Sequence, residues 1–371
     1  MHSTDLRRDH IQGMMIGCAI GDALGCSRQG MSRRLALRKY GRKPLAYKTL
    51  RNVGLPSPIT GLVLKTAQAI VSSGVNSELF VLRFQQRLGW YLFSCPVGMK
   101  LPTTLAAAKC WVRWLRIPTG IKSAGSEAAT RSIFTALALN RAGPRTNKWV
   151  EQITRVTHTH PIAIDGCQVL AALADTIIQQ LGGYDALEAC KKLESFSSQT
   201  ELKKRLAQLP QFLEQKRSPM AVANHFGWDT GVSDYMIPMT VMSCYCFLRY
   251  PEDFRRAVES AIRLGGDTRT LGGIVGGLSG TYRGFSELPD HLVRGLADFA
   301  YGPTWISKMV MRLSHWPHGV DDLYAPPGEP VAPLELTTTN LLRLAFISWN
   351  RIKRIPCALL TNNQPTRLRR S

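Results

Sequence analysis

Acidic residues are scarce in this chain. Its 371 residues include 47 Lys and Arg against 26 Asp and Glu, a formal net charge of +21. Between Asp22 and Glu127 the only acid is Glu78, and after Glu335 there is none. Such a balance points to an anionic partner, nucleic acid or acidic protein, without choosing between them; a solvated basic face with a basic tail is the plainer reading. Aromatics are sparse in the basic segments and no nucleic-acid-binding motif accompanies them. Cysteine is present but unpatterned: nine residues, an odd number, with no C-x-x-C pair, which argues against a disulfide framework or a zinc site and for free thiols in a reducing compartment. The opening MHSTDLRRDH mixes acids and bases, and the apolar stretch after it is interrupted by Gly17, Gly21 and Asp22, so no signal peptide is expected. No run of roughly 18 apolar residues occurs, so no membrane partner is expected and the predicted location is the cytoplasm.

Helical periodicity fills the gap left by these absences. From Ile11 to Leu24, glycines fall at 13, 17, 21 and 25, and Gly272, Gly276 and Gly280 repeat the spacing. Residues four apart share a helix face, and each glycine costs roughly 1 kcal/mol against alanine there, so the stripe needs a packing reason. Close approach of two such helices supplies it. Apolar spacing predicts further helices over Leu62–Val71, Leu79–Phe93, Pro161–Leu181, Tyr184–Phe196, Leu202–Leu213, Ile237–Leu248, Pro251–Leu264 and Thr304–Leu313. No alternating runs joined by hairpin turns appear, so the expected fold is all-α, one compact multi-helix bundle over 1–323. A proline-containing linker (Tyr324–Pro333), a last helix (Thr339–Ile352) and a basic tail are expected over 324–371.

Four segments carry a resemblance. LGGDTRTLGGIVGGLSGTYRG (264–284), IGCAIGDALG (16–25), SAGSEAATR (123–131) and THTHP (157–161) resemble, in order and spacing, the motifs of the ADP-ribosylglycohydrolase family. The resemblance implies a single bundle of many helices. It also implies a cleft for ADP-ribose or an ADP-ribosylated protein, lined by two magnesium ions in a carboxylate cluster. Magnesium is a hard cation that takes oxygen ligands in near-octahedral geometry, and a pair can hold a ribose diol and polarise a water.

The sequence departs from the family pattern within each of the metal- and substrate-binding motifs. The T-D-D-T motif falls on Ser57, Pro58, Ile59 and Thr60; in D-T-D-T, Asp267, Thr268 and Thr270 match but the second aspartate is Arg269. The acid after G-D-A-L-G falls at Gln29, and the loop asparagine and glycine become Ser126 and Glu127. A guanidinium at 269 repels a neighbouring cation by about 4 kcal/mol per unit charge at 4 Å and an effective ε of about 20. No metal cofactor is therefore expected at Ser57, Pro58, Ile59, Asp267, Arg269 and Thr270.

Each remaining residue has two readings. Asp267 is a ligand remnant or a helix N-terminal anion. Arg269 binds a ligand phosphate or ribose, or pairs with Asp267 or Glu127. Asp22 is structural or ligand-binding, His158 and His160 are acid–base groups or turn-shapers, and Arg131 buttresses the cleft loop or touches ligand. The candidate ligand-binding set is Asp22, Gln29, Ser126, Arg131, His160, Asp267, Arg269 and Thr270. Glu127 is the one acid in the cleft loop and the candidate general base. Three functions follow: a pseudoenzyme that binds ADP-ribose or a related nucleotide, a hydrolase with a metal-independent site, or an interaction protein using its basic surface.

Overall fold

The computed structural model describes residues 3–48, 52–95, 98–112, 115, 117–139, 145–180, 183–298, 301–314, 316, 341 and 345. The expected linker, last helix and tail lie outside these residues, apart from the two isolated positions 341 and 345. Helices follow one another along the chain: α1 (Ser3–Gly25), α2 (Arg33–Tyr40), α3 (Pro58–Val71), α4 (Ser77–Ser94), α5 (Leu101–Trp111) and α6 (Ala129–Leu139). Then come α7 (Arg145–Arg155), α8 (Pro161–Gln179), α9 (Ala186–Lys192), α10 (Thr200–Leu206), α11 (Leu209–Glu214) and α12 (Pro219–His225). The last are α13 (Met236–Arg249), α14 (Phe254–Ile262), α15 (Thr268–Arg283), α16 (Asp290–Arg294) and α17 (Pro303–Ser314). Among the described residues there is no strand, only isolated bridges such as Val232 with Gly266. The fold is all-α, as the periodicity predicts.

Helix starts follow local chemistry. Ser57 accepts a hydrogen bond from Ile59 N at 3.2 Å with Pro58 in the first turn of α3, and Asn76 accepts from Glu78 N and Leu79 N at 3.0 Å before α4. His160 Nδ1 accepts from Ile162 N at 3.2 Å with Pro161 following, which makes it the N-cap of α8. The helix expected over Leu202–Leu213 is instead two, α10 and α11, with Pro210 in the first turn of the second. Proline lacks the N–H and crowds the preceding turn, so it opens a helix and cannot continue one. The apolar spacing does not predict α2, α5, α6, α7, α12 and α16; α2, α12 and α16 have only eight, seven and five residues, and α6 is buried along its whole length and so has no polar face to mark a period.

The glycine stripes form the centre. A Cβ on Gly17 would stand 2.2 Å from Gly276 O, and one on Gly21 only 1.9 Å from Gly272 O. At both ends the pattern persists, Gly13 against Gly280 and Gly25 against Thr268. α1 and α15 therefore touch backbone to backbone along four turns, and their flanks (Ile16, Ile20, Leu271, Ile274, Val275) are fully buried in one apolar core. α8 reaches a mean hydropathy of 1.5 over an 18-residue window, long and apolar enough by composition to cross a membrane. Here it is a core helix, and its buried Asp165 accepts hydrogen bonds from Ser197 Oγ and Ser198 N at 2.6 and 2.7 Å. Seven of the eight described cysteines are buried.

Candidate functional site

Packing α1 against α15 brings the end of the first helix to the start of the second. Gly265 and Gly266 both adopt positive φ, +78° and +80°, and a Cβ at 266 would overlap Val232 O, so this turn requires glycine. The turn is stitched on both sides: Gly266 N donates to Met31 O at 2.8 Å, Gly30 N to Gly266 O at 2.8 Å, and Asp267 N to Val232 O at 2.8 Å. Gln29 and Asp267 are held together as a result.

Two ion pairs occupy the centre. Asp22, fully buried, accepts from Ser57 N at 2.6 Å and Thr60 Oγ1 at 2.8 Å through one oxygen, and from Arg269 Nε at 3.4 Å through the other. Asp267 is the N-cap of α15, accepting from Thr270 N at 3.4 Å and from Gln29 Nε2 at 2.8 Å. Its second oxygen takes the ammonium of Lys100, which also lies 3.6 Å from Asp234 Oδ2. Gln29 Oε1 accepts from Arg269 N at 2.9 Å, so the glutamine ties both pairs together.

Glu127 closes the cluster from the loop. One of its oxygens accepts from Lys100 N at 2.9 Å and the other from the Thr103 hydroxyl. Beneath the loop lies Arg131, fully buried, which donates to Thr157 Oγ1 and to Glu127 O. The Oγ of Ser126 and the Oγ1 of Thr270 are buried without a hydrogen-bond partner.

Charges settle accordingly. Burial works to lower the Lys100 ammonium, but Asp267, Glu127 and Asp234 override it and hold the group above the ordinary lysine range. Burial likewise opposes the charge of Arg269, and Cys26, Asp22 and Asp267 outweigh it and raise the guanidinium. Asp267, which burial would raise, is drawn below the usual carboxylate range by Lys100 first and then by its hydrogen bonds. Glu127 is raised because burial exceeds the help of Lys100 and Thr103.

Of the candidate residues, Asp22, Gln29, Glu127, Asp267 and Arg269 meet in this network. Ser57 contributes its backbone N–H, whereas Pro58 and Ile59 lie buried in the first turn of α3 and have no side-chain oxygen. Arg269 pairs with Asp22, in place of the Asp267 or Glu127 partner expected from the sequence. His160 caps α8, and Arg131 holds the loop from below. Lys100, Thr103 and Asp234 were not anticipated. A signal existed for the first: Lys100 is the N-cap of α5, where no side chain caps the helix and the helix dipole disfavours a cation. A lysine there asks for carboxylates from elsewhere.

His158 gives the site an acid limit. It is 1% exposed, Nδ1 lies 2.8 Å from Thr157 Oγ1, and burial, with the charges of Arg131 and Lys100, pushes it down to about 3. The unfolded chain takes up this proton below about pH 6.5 and the folded chain does not. The contribution is therefore complete above that pH and lost as pH falls towards 3. Urea unfolding should show the native protein losing about 2 kcal/mol more than His158→Gln between pH 6.5 and 5. Parallel pH profiles would show that the imidazole does not govern this range.

A helical bundle with its carboxylates gathered where two glycine-faced helices meet defines the class of protein. The ADP-ribosylglycohydrolase family pattern matches residues 3–321, and the chain belongs to that family. It is 24% identical over 310 residues to the ADP-ribosyl-[dinitrogen reductase] glycohydrolase of Rhodospirillum rubrum, covering 82% of this chain and 92% of that protein. An uncharacterised protein of Archaeoglobus fulgidus is 24% identical over 298 residues, covering 78% of this chain and 92% of its own. Among solved structures, an ADP-ribosylglycohydrolase-related protein complex superposes with a TM-score of 0.60 at 21% identity, covering 84% of this chain and 98% of the other, which supports the shared fold.

Proposed function

We propose that this protein binds ADP-ribose, a related nucleotide or an ADP-ribosylated protein, and has lost the magnesium-dependent hydrolysis implied by its family. The observation that carries this reading is the ion pair of Arg269 with the buried Asp22, a fixed cation on a carboxylate beside the cleft turn. A magnesium pair needs several anionic oxygens and tolerates no resident cation among them. Here Asp22 and Asp267 are each engaged by a side-chain cation, and Pro58 and Ile59 offer no ligand atom. The residues present do not fit a magnesium pair. Ser126 and Thr270 are fully buried, so ligand contact would fall to Arg269, 14% exposed, through the donors that it does not spend on Asp22.

One observation favours a second reading, an active metal-independent hydrolase: burial raises Glu127 into the direction a general acid needs. Both of its oxygens are already held by Thr103 and Lys100, which favours a structural acid over a mobile one.

Calorimetric titration with ADP-ribose, in magnesium and in chelator, tests the proposal. Equal affinity in both is expected. Binding that requires magnesium overturns it, and release of ADP-ribose from a modified protein, abolished in Glu127→Ala, establishes the second reading. Arg269→Asp by itself should confer no magnesium binding, because Lys100 still holds Asp267 and residues 58 and 59 still lack carboxylates. Tight magnesium binding by that single variant would contradict this account of the site.

A further inference from the structure

Lys100 is out of place by local rules. It stands at the N-cap of α5, where the first-turn N–H groups already carry positive charge, and α5 has no side-chain cap there. What holds it is tertiary. Its ammonium contacts Asp267 and lies 3.6 Å from Asp234 Oδ2, while its own N–H donates to Glu127 at 2.9 Å. Asp267 is 6% exposed and Asp234 61%, so the ammonium bridges the buried floor to the rim. Among the described residues, no group of three or more His, Cys, Asp or Glu is arranged to hold a metal ion. The cation at this corner is supplied by the chain.

We propose that Lys100 is a tethered cation: its ammonium occupies the position that a divalent ion would take against Asp267, and shortening the side chain opens a weak divalent-cation site there. The inference rests on the reading that the family's metal pair is lost. Lys100→Ala leaves Asp267 and Asp234 facing the space vacated by three side-chain carbons and the ammonium. Magnesium typically binds through one or two carboxylates and keeps several waters, so two carboxylates and solvent suffice for weak binding. Arg269 on the neighbouring aspartate keeps the affinity low, because its charge repels the ion. Lys100→Met fills nearly the same volume without charge and leaves no room for a hydrated ion.

Thermal unfolding without nucleotide tests this, with magnesium chloride, calcium chloride and methylammonium chloride as probes. Lys100→Ala should unfold roughly 3–6 °C below the native protein. Magnesium or calcium at about tenfold the dissociation constant should raise the variant's midpoint by about 3 °C, and methylammonium should also raise it. The native protein and Lys100→Met should not respond. An equal magnesium response in the native protein, or no response of Lys100→Ala to any of the three cations, overturns the proposal. So does a Lys100→Ala chain that fails to fold even with these cations while Lys100→Gln, which keeps a donor for Asp267, folds. The outcome is separable from the nucleotide titration: a native protein that ignores ADP-ribose sinks the functional reading and leaves the cation substitution standing.

Discussion

Gly276→Val should abolish stable folding, and Gly273→Ala, three residues away on the same helix, should leave the protein at least as stable as before. A Cβ at 276 would stand 2.2 Å from Gly17 O and 2.9 Å from Gly17 C, well inside any real contact, and the obstacle is backbone. α1 and α15 would have to separate along their whole length, exposing Ile16, Ile20, Leu271, Ile274 and Val275. Fully burying each such side chain contributes about 1.5–3 kcal/mol, so exposing all five costs roughly as much as the 5–15 kcal/mol by which domains are ordinarily stable. At Gly273 the nearest atoms to an added Cβ are Cys18 Sγ at 3.6 Å and Asp22 Cβ at 3.7 Å, ordinary van der Waals contacts. Alanine there gains helix propensity and restricts the unfolded chain, an increase of about 0.4–1 kcal/mol. Urea denaturation of both variants measures the contrast. A soluble, cooperative Gly276→Val protein would mean that the two helices do not meet backbone to backbone.

Asp22→Ala should be the most costly single change among the polar residues, about 3–5 kcal/mol by denaturant midpoint at unchanged m-value. The carboxylate is fully buried and serves three donors: Ser57 N, Thr60 Oγ1 and Arg269 Nε. Its removal strands a cation that is only 14% exposed, and unpairs a backbone N–H at the start of α3. Asp22→Asn keeps one accepting oxygen for Ser57 N and Thr60 Oγ1 but loses the charge and turns an NH2 group towards Arg269; it should still cost less than alanine, roughly 1–3 kcal/mol. Replacing the arginine as well, in Asp22→Ala/Arg269→Met, should recover part of the loss, because no charge is then left buried. Strict additivity of the two single costs would show that the residues are not coupled.

Parts of this architecture are readable without coordinates because they repeat at short range. A glycine every fourth residue marks one helix face wherever the helix lies, and two such faces in one chain have few partners other than each other. The GGDTRT turn reads equally well, since two glycines before a capping aspartate specify a left-handed turn into a helix. Pro210 was the exception among the longer helices, where an apolar stripe hid the break. The site was legible as a set of positions and illegible as a set of contacts. Arg269 and Asp22 are 247 residues apart, and Lys100 and Asp267 are 167 apart. Nothing in the spacing of either pair distinguishes it from many others in a chain with 47 basic residues.

The sequence by itself determined the all-α class, the glycine-faced crossing at its centre and that positions 29, 58, 59 and 269 carry no carboxylate, because periodicity and residue identity are local properties. Only the tertiary structure decided which cation meets which carboxylate: Arg269 on Asp22, Lys100 on Asp267, with Gln29 between them. Coulomb attraction falls with distance and depends on burial, so it is fixed by where side chains finally sit. Composition could say that positive charge is plentiful here; folding alone set Arg269 and Lys100 against these carboxylates.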